Sequence, residues 1–184
     1  GYKVELGKHV FASHFQFAGT DKQRLEDLQT ALDDSETGAI ICSRGGYGTV
    51  RIIDKLNCGN FLKHPKWLVG FSDITILHVC INNLGVSTIH GAMPRYFFDE
   101  TGLPTENLSS LLQLLTGEKV QYAIKTEKVN KTGKVSGELV GGNLSIISSL
   151  QGTKYEIDTF GKILFLEDID EFLYHTDRMV HQLK

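Results

Sequence analysis

Hydrophobic positions along this chain follow two periods, and the switching between them predicts the order of elements. Tyr2 to Leu6 alternates apolar and polar, which predicts a short strand. Leu25, Leu28 and Leu32 then fall at helical spacing in a helix that begins at Asp21, with Thr20 placed to cap it. After Gly38, Ala39-Ile40-Ile41-Cys42 is a continuous apolar run, expected of a strand buried on both faces of a parallel sheet. A second helix is expected from Thr49 to Leu56. His64-Pro65-Lys66 breaks the chain before the next apolar strand, Trp67 to Gly70. Ser72-Asp73 opens a helix carrying Ile74, Leu77, His78 and Ile81, and Val86 to Ile89 is a further short strand. Leu108 to Leu115 is a leucine-rich helix. Strands alternating with helices in this way predict a parallel α/β layer with helices on both faces.

From Glu118 the texture changes. Lys119 to Ile124 alternates with period two, and Val129 to Val140 is studded with Lys, Thr and Gly. This predicts a β-rich second unit, with a boundary near Thr116-Gly117 that divides the chain into 1–116 and 117–184. Within that unit, Leu144 to Leu150 reads as a helix, Ile163 to Leu166 as a strand, and Phe172 to Leu183 as the start of a helix.

Composition narrows the function classes. The chain has 184 residues, 41% hydrophobic and 22% charged, the balance of a soluble globular protein. A net charge of -3 leaves no basic footprint for nucleic acid. No apolar run approaches the roughly 20 residues of a membrane span. Cys42, Cys58 and Cys80 are odd in number and in no CxxC spacing, which argues against a disulfide scaffold or zinc knuckle and for a reducing cytosol. None of the seven histidines shows metal-ligand spacing, so no metal or cofactor is expected.

Three segments could carry chemistry. In Val69-Gly70-Phe71-Ser72-Asp73-Ile74-Thr75 a serine lies between a strand and a helix start, where a nucleophile elbow sits. The match is half, because Ile74 stands where the usual elbow has glycine; the simpler reading is a helix cap. Arg44-Gly45-Gly46-Tyr47-Gly48 follows another strand and could bind an anion through its N–H groups, or be a plain turn. Glu167-Asp168 ends a third strand, where a carboxylate can orient a histidine or simply face solvent. Gly141-Gly142-Asn143 precedes a helix as a turn and Asn cap. Of the histidines, His90 is best placed, while His78 reads as a packed core residue.

Taken together and in order, these segments resemble the LD-carboxypeptidases, serine peptidases that include the microcin C immunity peptidases. The resemblance runs from Ala18-Gly19-Thr20-Asp21 through Arg44 to Gly48, Gly70 to Thr75, His90-Gly91 and Gly141 to Leu144, to Leu166-Glu167-Asp168 and beyond. It implies a Rossmann-like or flavodoxin-like α/β layer with a nucleophile elbow, followed by part of a second domain. It implies a Ser-His-Glu triad in which Ser72 is the nucleophile and Glu167 orients the histidine. Asp73 with Gly45 and Gly46 would supply the oxyanion hole, and Arg44, Tyr47 and Asn143 would contact substrate. The implied reaction is release of terminal D-alanine from murein tetrapeptides in cell-wall recycling, without metal or cofactor, by a cytoplasmic homodimer. The resemblance also implies a strand and helix before Gly1 and a catalytic histidine beyond Lys184, so that this chain by itself is expected to be inactive. Two other readings stand beside it: a peptidase of the same family acting on peptide-nucleotide or acyl-amino-acid substrates, and a non-catalytic α/β module holding an anion.

Overall fold

The structure, a computed structural model, describes residues 1–125 and 130–184. Helix α1 (Asp21–Asp33) starts at a reciprocal cap: the Thr20 hydroxyl accepts from the Gln23 N–H, and the Gln23 side chain accepts from the Thr20 N–H. Its C-terminal end is held by Lys66, whose buried ammonium donates to the carbonyls of Ala31, Leu32 and Asp34. Cations favour that end of a helix, where carbonyls lack intrahelical partners.

Strands β1 (Ala39–Ile41), β2 (Trp67–Gly70) and β3 (Ile89–His90) form a parallel sheet in the order β1-β2-β3. Leu68 and Val69 of the central strand are fully buried. On β1 the expectation of burial on both faces is corrected: Ile41 stays 38% exposed, because β1 pairs on one side only among the described residues. The expected strand at Val86 to Ile89 pairs only from Ile89, opposite Val69. Residues 2–6 form no strand and lie exposed.

The helix expected from Thr49 to Leu56 is instead two 3₁₀ turns, Thr49–Arg51 and Ile53–Lys55, followed by the short α2 (Gly59–Lys63). β-branched residues at 49, 50, 52 and 53 disfavour a continuous helix. The Thr49 N–H is also taken by a side chain, described below. Helix α3 (Thr75–Asn83) buries Ile76, Leu77, Val79 and Ile81 in the main core with Leu32, Phe61 and Leu68. Helix α4 (Glu106–Leu115) packs Leu111 against Val69 and Ile89 in a smaller cluster.

The texture read as β-rich resolves differently. No strand forms within 117–125 or 130–138; of the expected segment from Val129 to Val140, Val129 lies outside the described residues. Polar residues outnumber apolar ones there, which leaves little apolar surface for a sheet face to bury. Past that stretch, β4 (Leu139–Asn143) and β5 (Ile163–Glu167) pair in parallel, with α5 (Leu144–Ser149) between them and α6 (Leu173–Gln182) after them. Val140 and Ile147 join the same core as α3, so the two stretches of chain share one interior.

Candidate active site

Ser72 follows β2 by two residues and has φ of +63°, in the left-handed region that side chains other than glycine rarely enter. It opens a 3₁₀ turn, Ser72–Ile74, that leads into α3. An exposed nucleophile leaves its strand by this kind of sharp, strained turn. The cap reading fits less well, since the Ser72 hydroxyl makes no capping hydrogen bond.

The Arg44–Gly48 turn lies directly on this serine. A Cβ built on Gly45 would come within 3.1 Å of the Ser72 Cβ and 3.4 Å of its Oγ. Only a glycine lets the backbone approach so closely. Arg44 is exposed and, among the described residues, forms no ion pair. The buried Asp73 carboxylate does not pair with it but accepts the Thr49 N–H at 2.9 Å and the Thr49 hydroxyl at 2.7 Å. Tyr47 is 59% exposed, with its ring centroid 6.0 Å from that of Phe17.

The Gly141-Gly142-Asn143 segment meets the elbow from the other side. The Asn143 N–H donates to the Thr75 hydroxyl at 3.0 Å, and both residues are buried. The Asn143 side chain accepts from the Ile146 N–H and donates to Asp168. Asn143 is thus an N-cap whose amide serves the protein interior. The two adjacent carboxylates on and after β5 divide their duties. Asp168 accepts from Asn143, Ser145 and Ile169 and is fully occupied. Glu167 Oε1, by contrast, is buried with no hydrogen-bond partner among the described residues. Burial, and then the neighbouring Asp168 charge, raises the Glu167 carboxyl above its ordinary value.

His90 lies beside this free carboxylate. Its Nε2 is 3.8 Å from Glu167 Oε1, beyond hydrogen-bond distance, and its ring packs edge-on against Phe165 at 5.3 Å. Burial lowers its pKa. Clefts open beside both His90 and Glu167. One of about 240 Å³ is lined by Phe71, His90, Tyr96 and Asn107; the other, about 350 Å³, includes Glu167, Asp168 and Glu171. Sequence reasoning missed Thr49 and Thr75, the hydroxyls that fasten the turn and β4 to the elbow. Their only signal was adjacency to the glycine turn and to the Ser-Asp pair.

His78 is the core residue expected. Its Nε2 must donate to the Gly70 carbonyl at 2.9 Å, which leaves Nδ1 to accept from the Thr88 hydroxyl at 2.8 Å. Burial lowers its pKa from 6.5 to about 4. The unfolded chain therefore binds this proton first, and the contribution of His78 to stability is lost as pH falls from 6.5 towards 4. The expected size is about 3 kcal/mol. Urea unfolding between pH 4 and 7 is expected to show a shallower pH dependence in His78→Gln than in the wild type.

A parallel α/β layer ending in a serine turn roofed by glycine backbone is the layout of a hydrolytic enzyme. Which one is settled by comparison. Residues 1–91 match the LD-carboxypeptidase N-terminal domain and residues 136–184 the LD-carboxypeptidase C-terminal domain, and the chain belongs to the LD-carboxypeptidase family. It is 42% identical to the "Probable murein peptide carboxypeptidase" of Bacillus subtilis, across 100% of this chain and 59% of the relative. It is 34% identical to the "Murein tetrapeptide carboxypeptidase" of Pseudomonas aeruginosa, across 100% of this chain and 61% of that protein. The crystal structure of the muramoyltetrapeptide carboxypeptidase from Oxalobacter formigenes superposes with a TM-score of 0.80 at 31% identity, covering 92% of this chain and 58% of that one. The chain thus spans about three-fifths of the length of these relatives.

Proposed function

We propose that the protein carrying this chain is a serine carboxypeptidase that releases the terminal D-alanine of murein tetrapeptides. The Ser72 hydroxyl attacks the carbonyl carbon before D-alanine while a histidine takes its proton and passes it to the leaving amine. Glu167 holds that histidine. The N–H groups of Asp73 and of the Gly45-Gly46 turn receive the oxyanion. The observation that carries this reading is the positive φ of Ser72 with the backbone of Gly45 against its side chain. The unpaired, buried oxygen of Glu167 supports the second role. The family resemblance puts the histidine beyond Lys184, and the poor contact of His90 with Glu167 agrees with that.

Arg44 is assigned to the free carboxylate of the substrate, with Tyr47 beside it on the same exposed turn. Asn143 serves the site indirectly, by fixing Asp168 and the end of β5 next to Glu167. The enzyme is read as a cytoplasmic homodimer working in cell-wall recycling, its nucleophile domain covering 1–116 and its second domain 117–184. The three free thiols are in keeping with a reducing compartment.

The test is release of free D-alanine from a murein tetrapeptide by the complete gene product. Release is expected, with far less from the same peptide ending in L-alanine; equal cleavage of both would sink the proposed specificity. Arg44→Lys is expected to raise KM several-fold more than it lowers kcat, because a planar, two-pronged carboxylate contact is replaced by a point charge. Unchanged kinetics in that variant would remove Arg44 from the site.

A further inference from the structure

We infer that Asp73 and Thr49 form a latch that holds the Arg44–Gly48 turn in register with Ser72, which makes them positioning residues for the proposed oxyanion hole. The inference rests on the function proposed above and assigns roles to the Asp73 carboxylate and the Thr49 hydroxyl, neither of which touches substrate.

The turn needs such a device. Three of its five residues are glycine, and Gly46 and Gly48 sit at φ of +104° and +125°. A glycine-rich segment loses more freedom on ordering than any other, so it does not hold one shape unaided. An oxyanion hole, however, works only if its donors are fixed before the charge develops. The Asp73 carboxylate meets this need. Beyond the C-terminal end of the turn, Oδ2 accepts both the N–H and the hydroxyl of Thr49, at 2.9 and 2.7 Å.

The bonds are of the strong kind. Asp73 is 4% exposed and Thr49 7%, so the contact is shielded from water. A hydrogen bond to an ionised carboxylate is roughly twice as strong as one between neutral groups. Asp73 follows Ser72 directly, so any shift of the latch moves the turn relative to the serine on which Gly45 rests. The second carboxylate oxygen, Oδ1, is buried without a partner among the described residues.

Thr49→Val is the informative variant. It keeps volume and β-branching, keeps the Thr49 N–H bond, and removes only the hydroxyl. In the complete gene product, kcat for tetrapeptide hydrolysis is expected to fall about ten-fold with KM unchanged. Thr49→Ser, which restores the hydroxyl, is expected to recover most of the loss. In the same complete gene product, backbone ¹⁵N order parameters at residues 44–48 are expected to fall in Thr49→Val and not in Thr49→Ser. Wild-type order parameters in Thr49→Val would overturn the latch whatever the activity. A loss of activity through KM alone, or one that Thr49→Ser fails to repair, would also overturn it. If the wild-type enzyme does not release D-alanine at all, the proposed function fails while the relaxation measurement still decides the latch.

Discussion

Ser72→Ala in the complete gene product is expected to lower kcat for D-alanine release by about a million-fold, leaving only what binding and the oxyanion hole supply. The loss should be confined to kcat. Alanine keeps the Cβ on which the Gly45 backbone rests, so the turn has no reason to move. Stability is expected to hold or rise slightly, because the hydroxyl makes no capping bond that alanine would lose. The left-handed backbone at 72 strains both residues alike. Steady-state kinetics together with a urea melt test these expectations. A variant that retains even a hundredth of the activity would identify a different nucleophile.

The second large effect joins function and stability with opposite signs. Glu167→Gln is expected to reduce kcat by about a thousand- to ten-thousand-fold, the scale seen when the acid of a triad is replaced by its amide and the histidine takes the wrong tautomer. The same substitution is expected to stabilise the fold at neutral pH. Burial and the adjacent Asp168 charge raise the Glu167 carboxyl above its usual 4.5. The folded state therefore holds this proton to higher pH than the unfolded chain does. The contribution of Glu167 to stability is complete below pH 4.5 and is lost as pH rises through its folded pKa. Glutamine never ionises and escapes that loss. Thermal melts should thus show a higher midpoint for Glu167→Gln at pH 7 and coincident midpoints below pH 4.5. A lower midpoint at pH 7 would mean that the carboxylate has a stabilising partner, contrary to the unpaired oxygen observed.

Periodicity placed α1, β2, α3, α4 and β5 because each has either a leucine stripe or an unbroken apolar run, and tertiary packing agrees with both signals. The 49–56 stretch failed because Thr49 is claimed by Asp73, a contact 24 positions away that no local pattern encodes. Residues 2–6 and 119–124 alternate like strands yet pair with nothing among the described residues, since alternation specifies a face and not a partner. At the site, the Gly-Phe-Ser-Asp segment was legible as an elbow because a serine between strand and helix is a local feature. The difference between Glu167 and Asp168 was not. Both are acidic and adjacent, and only the folded structure shows Asp168 consumed in bonding Asn143, Ser145 and Ile169 while Glu167 is left free.

The central claim is that Ser72 is the nucleophile, and covalent mapping tests it most directly. The complete gene product would be treated with a fluorophosphonate, digested, and analysed by mass spectrometry, with D-alanine release followed on the same sample. The account predicts one adduct, on the peptide containing Ser72, formed more slowly when tetrapeptide is present and matched by an equal fractional loss of activity. An adduct on another serine, or full activity with Ser72 completely modified, would contradict it.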